Sequence, residues 1–115
     1  MTRNMELIKL LLRQKEGQEP KPDLSRYSES QILYHYELMH EAGLIVAQLF
    51  TDGSGHVNGA RIERLTNFGH DFLDASRSDT VWSKFKQAVA KVGGGISMPV
   101  AVELMKQLVR TELGL

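Results

Sequence analysis

The chain has no cysteine among its 115 residues. That excludes disulfides, thiolate metal sites and cysteine nucleophiles together, and leaves the redox compartment open. No apolar run approaches the roughly 20 residues needed to cross a bilayer, and Met1-Thr2-Arg3-Asn4-Met5-Glu6 lacks a signal-peptide cleavage pattern. The expectation is a cytoplasmic protein with no membrane association. Net charge is also missing, since 14 basic residues balance 14 acidic ones. There is no global positive field of the kind that dominates nucleic-acid affinity, so any such binding must be local. The sharpest local absence runs from Ser28 to Ala60, which holds Glu29, Glu37, Glu41 and Asp52 but no lysine or arginine.

Catalytic signatures are equally scarce. There is no nucleophile elbow, P-loop or dinucleotide fingerprint, and Gly93-Gly94-Gly95 follows a helical pattern instead of opening one after a strand. His35, His40, His56 and His70 are spaced at five, sixteen and fourteen residues, which matches no familiar zinc pattern. Asp71 and Asp74, three apart on one helix face, have the spacing of a solvated surface. Neither enzymatic activity, a metal nor a cofactor is expected.

What is present reads as one soluble globular domain, with 42% hydrophobic and 24% charged residues. Met5, Ile8, Leu11 and Leu12 recur at helical spacing over about Asn4 to Lys15, and Leu7 and Leu10 widen the stripe. A stripe that wide packs on two sides, most simply as an intramolecular core and alternatively against the C-terminal helix or a second subunit. Gly17, Pro20 and Pro22 end the helix, and Asp23 to Tyr27 is short enough for only a brief strand or extended segment.

Ser28-Glu29-Ser30-Gln31 has the spacing of a capping box, so a second helix is expected from Glu29 to Ala42, with Ile32, Tyr36, Met39 and Ala42 on its apolar face. Gly43 then suits a left-handed cap closed by Leu44. Ile45 to Thr51 and Ala60 to Leu65 flank turn chemistry and predict a hairpin whose mobile tip is Gly53 to Gly59. Thr66 caps a third helix carrying Phe68, Phe72 and Leu73, which gives way near Arg77-Ser78 to a fourth over Asp79 to Val92. Gly93-Gly94-Gly95 stops that helix. Ser97 caps a last one, with Pro99 in its first turn and Val100, Leu104, Leu108 and Val109 as its apolar face. The fold class is therefore α+β, mostly helical. A winged-helix-like core (helix, short strand, helix, β-hairpin wing) occupies residues 1–77, and C-terminal helices extend it over 78–115.

The stretch Ile32-Leu33-Tyr34-His35-Tyr36-Glu37-Leu38-Met39-His40-Glu41-Ala42-Gly43-Leu44-Ile45 resembles the recognition helix of small bacterial winged-helix repressors. Leu65-Thr66, Gly69 and Phe72-Leu73 resemble the segment that leaves their wing. With Arg3 to Ile8 and Asp79-Thr80-Val81-Trp82 added, the chain resembles, over nearly its full length, the uncharacterised bacterial and phage family called domain of unknown function twenty-five-thirteen. The resemblance implies a fold and a bacterial or phage origin, and carries no functional residues with it. One departure stands out: only about ten residues, two of them proline, separate the first helix from Ser28. That leaves little room for the middle helix that sets the reading angle on DNA, which weakens the DNA-binding reading and leaves the fold reading intact.

Two functions follow from this pattern. In the first, the protein is a transcriptional regulator that binds double-stranded DNA through the second helix and the wing, as a homodimer formed by the terminal helices. The candidate contacts are Gln31, Tyr34, His35, His56, Asn58, Arg61 and Arg64; Ser30, Glu37 and Leu38 also face outward, and Gln31 has the chemistry to pair with adenine. Phosphate neutralisation would fall to Arg61 and Arg64, with Arg26, Arg3 and Lys9 as further cations. His35 has a structural alternative, a buried imidazole donating to a backbone carbonyl. In the second function, the winged-helix scaffold serves as a protein-interaction module whose acidic helix face, around Glu37 and Glu41, docks a basic protein partner.

Overall fold

A computed structural model describes residues 2–17, 20–92 and 97–113. Helix α1 (Met5–Glu16) is followed by α2 (Glu29–Glu41), the strands β1 (Ile45–Thr51) and β2 (Val57–Leu65), then α3 (Asn67–Ser76), α4 (Asp79–Val92) and α5 (Met98–Leu113). The fold is α+β and mostly helical, as the periodicity predicts. Gly93-Gly94-Gly95, the expected stop of the fourth helix, lies outside the described residues.

Helix α1 starts where Asn4 Oδ1 accepts the Leu7 N–H at 3.2 Å and ends at Gly17, whose φ of 68° is the left-handed cap. Its stripe of Met5, Leu7, Ile8, Leu11 and Leu12 is buried within the chain. Chiefly α2, α3 and β2 cover it, so the stripe serves the intramolecular core. The stripe is wide because α1 is the central element, covered from several sides.

The short strand expected at Asp23 to Tyr27 is a turn. Asp23 Oδ1 accepts the Ser25 N–H at 2.9 Å and the Tyr27 N–H reaches the Leu24 carbonyl at 3.1 Å, so the chain reverses before any extended run can pair. Among the described residues the sheet has two strands, β1 and β2. Leu24 and Tyr27 still pack on the core.

The capping box at Ser28 forms as its spacing predicts. At the other end of α2, Gly43 (φ 76°) donates to the His40 carbonyl and Leu44 to that of Met39 at 2.9 Å. That pair of bonds is a Schellman motif, and buried Leu44 closes it.

The hairpin is antiparallel and bulged twice. Ile45 faces Leu65, Val46 faces Arg64, and Ala47 faces Ile62, which leaves Glu63 as an extra residue on β2; Phe50 faces Gly59 and Thr51 faces Val57, which leaves Asn58 as the second. Because β2 begins at Val57, the tip is only Asp52 to His56, shorter than the Gly53 to Gly59 loop expected. It is also organised: Asp52 Oδ1 accepts from the Ser54 N–H, the Ser54 hydroxyl and the His56 N–H at 2.9, 2.7 and 3.0 Å.

Thr66 joins the hairpin to α3. Its hydroxyl caps Gly69 N–H at 2.9 Å and donates to the Gly43 carbonyl, while its N–H reaches the Leu44 carbonyl. Ser78 then caps α4 through the Val81 N–H, and Ser97 caps α5 through Val100. Phe72 sits at the centre of an aromatic cluster with Phe68, Trp82 and Phe85, its ring centroid 5.8 to 6.3 Å from each of theirs. One apolar core runs from Met5 through this cluster to Met105, so α4 and α5 share it with α1, α2, the hairpin and α3.

Candidate functional site

The site is built by α2 and the hairpin that follows it. On α2 the buried side is wider than the stripe of Ile32, Tyr36, Met39 and Ala42, because His35 and Leu38 are buried too. Ile32, His35, Met39 and Ala42 form a regular i, i+3, i+7, i+10 row with a polar residue in it. Leu38, expected to face outward, is in the core instead, and His35 takes the alternative of a buried imidazole bonded to a backbone carbonyl in place of an outward base contact.

His35 is 1% exposed, and both ring nitrogens are occupied. Nε2 accepts the Asn4 backbone N–H at 2.8 Å and Nδ1 lies 2.7 Å from the Gln31 carbonyl. This pattern requires a neutral ring that donates from Nδ1. Burial pushes its pKa below the ordinary 6.5, with the Gln31 carbonyl acting weakly the other way. His35 therefore links α2 to the start of α1 and has no atom free to contact a base. Gln31 is exposed, but its Oε1 accepts the Ser28 N–H at 2.8 Å. The bidentate amide pairing with adenine needs that oxygen, so the cap competes with base reading.

Tyr34 lies on the other side of α2, edge-on to His35 at 5.4 Å between centroids. With Ser30, Leu33, Glu37, His56 and Val57 it lines a cleft of about 340 Å³ between α2 and the hairpin tip. Glu37 is the acidic residue of the lining, which holds no lysine or arginine. His56 is held at the rim by Ser54 Oγ, 2.8 Å from its Nδ1, with Asp52 3.9 Å away. Hydrogen bonds from Ser54, then from the His56 and Gly55 amides, keep the Asp52 carboxyl below its usual range, so the rim is acidic as well. Leu33 and Val57 are absent from the sequence-based candidates. The available signal was an apolar residue on α2 off the buried stripe; for Val57 there was none, because its place depends on where β2 begins.

Arg61 and Arg64 do not join this cleft. Partners across an antiparallel pair share a face, and faces alternate along a strand. Ile45, Ala47 and Leu49 with Leu65, Ile62 and Ala60 form the face turned to the core; Val46, Gln48 and Phe50 with Arg64, Arg61 and Gly59 form the other. Both arginines are thus exposed on the side of the hairpin that faces away from α2. Asn58 is exposed at the outer bulge. The seven expected contacts are accordingly divided: Tyr34 and His56 line the cleft, Gln31 caps a helix, His35 is in the core, Asn58 is at the outer bulge, and Arg61 and Arg64 lie on the far face.

Among the described residues, no three His, Asp or Glu side chains converge as metal ligands, and no helix is long and apolar enough to cross a membrane. Asp74 pairs with Arg77 at 3.0 Å.

Residues 2–96 match the family described as "Hypothetical protein (DUF2513)". The chain belongs to this family. The match to DUF2513 takes in α1 to α4, including the whole α2–hairpin cleft, and stops before α5. An "Uncharacterized protein" of Haemophilus influenzae (strain ATCC 51907 / DSM 11121 / KW20 / Rd) is 31% identical over 118 residues, covering 96% of this chain and 94% of that protein. No solved structure matches the chain.

Proposed function

We propose that the chain is a non-catalytic protein-interaction module on a winged-helix-like scaffold, which holds a basic segment of a partner protein in the cleft between α2 and the hairpin tip. The observation that carries this reading is the lining of that cleft. Leu33, Tyr34 and Val57 offer apolar contact, Glu37 offers a negative charge, and no lysine or arginine lines it. A partly apolar floor with charge at its edge is the usual anatomy of a protein interface, and the sign of the charge selects the partner. The proposal includes a cytoplasmic location, which cell fractionation tests.

The DNA-binding reading keeps one favourable observation: Arg61 and Arg64 share an exposed hairpin face with Gln48 and Phe50. Duplex binding there would use the wing alone, through a few phosphate contacts, and would be weak and strongly salt-dependent.

One experiment separates the two. The isotopically labelled protein is titrated with a peptide of alternating leucine and arginine, and separately with generic duplex DNA at low and moderate salt, while amide shifts are followed by NMR. The interaction reading expects peptide-induced shifts at Ser30, Tyr34, Glu37 and Val57 that Glu37→Lys abolishes. Salt-sensitive shifts from DNA at Gln48, Asn58, Arg61 and Arg64, with none from the peptide, would replace it by the DNA reading.

A further inference from the structure

The two free edges of the hairpin are unlike. The outer edge of β2 is broken by bulges at Asn58 and Glu63 and carries Arg61, Glu63 and Arg64. Bulges and charges of this kind are how proteins prevent unwanted strand pairing. β1, Ile45-Val46-Ala47-Gln48-Leu49-Phe50-Thr51, has no bulged residue of its own, no charge and no proline. Among the described residues no further strand pairs with it. Its Phe50 is 50% exposed.

The direction of its backbone groups follows from the two bonds that flank it. The Leu44 carbonyl accepts from the Thr66 N–H at 3.0 Å, and the Asp52 N–H donates to the His56 carbonyl at 2.8 Å. Backbone polarity alternates along a strand, so the even-numbered residues Val46, Gln48 and Phe50 address β2. Ile45, Ala47, Leu49 and Thr51 turn their N–H and C=O groups to the open edge.

We infer that β1 pairs with β1 of a second copy of this chain, antiparallel about a two-fold axis through Gln48. That register uses the whole strand: Ile45 meets Thr51 of the second copy, Ala47 meets Leu49, and the outward N–H and C=O groups of these residues are mutually satisfied. On the outer face Val46 lies across from Phe50, covering the exposed ring, and the two Gln48 amides meet at the axis, where they can bond to each other. A second copy is the occupant that fits, because an isologous contact requires a self-complementary patch and an uncharged strand meets itself with no like-charge pair. The pairing edge is β1, none of whose residues lines the cleft, and the inference does not rest on the interaction reading.

Gln48 at the axis is a non-hydrogen-bonded pair, for which the Cα separation is about 4.5 Å, within disulfide range. The absence of native cysteine makes the test clean. Sedimentation of the full chain over a concentration series is expected to show a monomer–dimer equilibrium, and Gln48→Lys, which sets like charges face to face, is expected to weaken it at least about tenfold. Gln48→Cys is expected to form a disulfide-linked dimer of native circular dichroism under mild oxidation, faster than Gln107→Cys on the exposed side of α5. A wild-type chain that stays monomeric at NMR concentrations would overturn the inference. So would a dimer that Gln48→Lys leaves unchanged, or a cysteine at position 48 that cross-links no faster than the control.

Discussion

Gly69 lies directly against the backbone of Leu44: a Cβ placed on Gly69 would stand 2.0 Å from the Leu44 carbonyl oxygen and 3.3 Å from the Leu65 Cβ. The first turn of α3 therefore crosses the start of the hairpin at a distance only glycine permits. The carbonyl cannot swing away cheaply, because it accepts the Thr66 N–H at 3.0 Å. Gly69→Ala is expected to cost about 3 kcal/mol or more, as overpacking against fixed backbone does. The melting temperature would then fall by roughly 10 °C or more. An unchanged melting temperature would mean that α3 does not cross there.

His35 makes stability depend on pH in a defined direction. Its folded pKa lies below the ordinary 6.5 because of burial, so the unfolded chain takes up the proton first as pH falls. Its contribution is complete above about pH 6.5 and declines below that, by up to about 1.4 kcal/mol per pH unit, until the folded ring protonates as well. Urea unfolding at pH 7.5 and 5.5 should show this loss in the wild type and a smaller one in His35→Leu. At pH 7.5 that variant is expected to be about 1–3 kcal/mol less stable, because the Asn4 N–H loses its acceptor. Equal pH dependence in the two proteins would exclude His35 as the source.

Trp82, 5% exposed, donates its Nε1–H to Glu6 Oε1 at 2.8 Å, and Lys86 Nζ lies 3.0 Å from the same oxygen. Burial pushes the Glu6 carboxyl up, but the Trp82 and Lys86 hydrogen bonds, with the charges of Lys86 and Lys9, outweigh it and hold the pKa below its usual 4.5. Its stabilising effect is present above the ordinary carboxylate value and is lost as pH falls through the lowered one. The indole N–H resonance of the single tryptophan should titrate below pH 4.5 in the wild type and not in Glu6→Gln. Glu6→Ala, which leaves the N–H without an acceptor, should cost about 1–2 kcal/mol.

Asp52 folds the hairpin tip around one carboxylate oxygen. Asp52→Ala should raise amide exchange at Ser54 and His56 with little change in global melting temperature, because an exposed tip opens locally. Unchanged exchange at both amides would show that the glycines and the β1–β2 register hold the tip without it.

The sequence by itself determined what is written within a few residues. The capping box at Ser28, the Gly17 and Gly43 caps, the Thr66 cap and the helix break near Arg77 are all interactions between near neighbours in the chain, and each is legible as a pattern. The aromatic cluster around Phe72 was half legible, through apolar spacing alone. Only the tertiary structure decided between the two readings of His35, and which face each cation takes. His35 is in the core because the Asn4 N–H, 31 residues away, supplies its second partner; Trp82 has its acceptor 76 residues away in Glu6. Arg61 and Arg64 fall on the side away from α2 because cross-strand register, with its bulges at Asn58 and Glu63, sets the faces of β2. Local patterns carry no information about such partners, since a bulge or a long-range hydrogen bond is fixed by the packing of elements against one another.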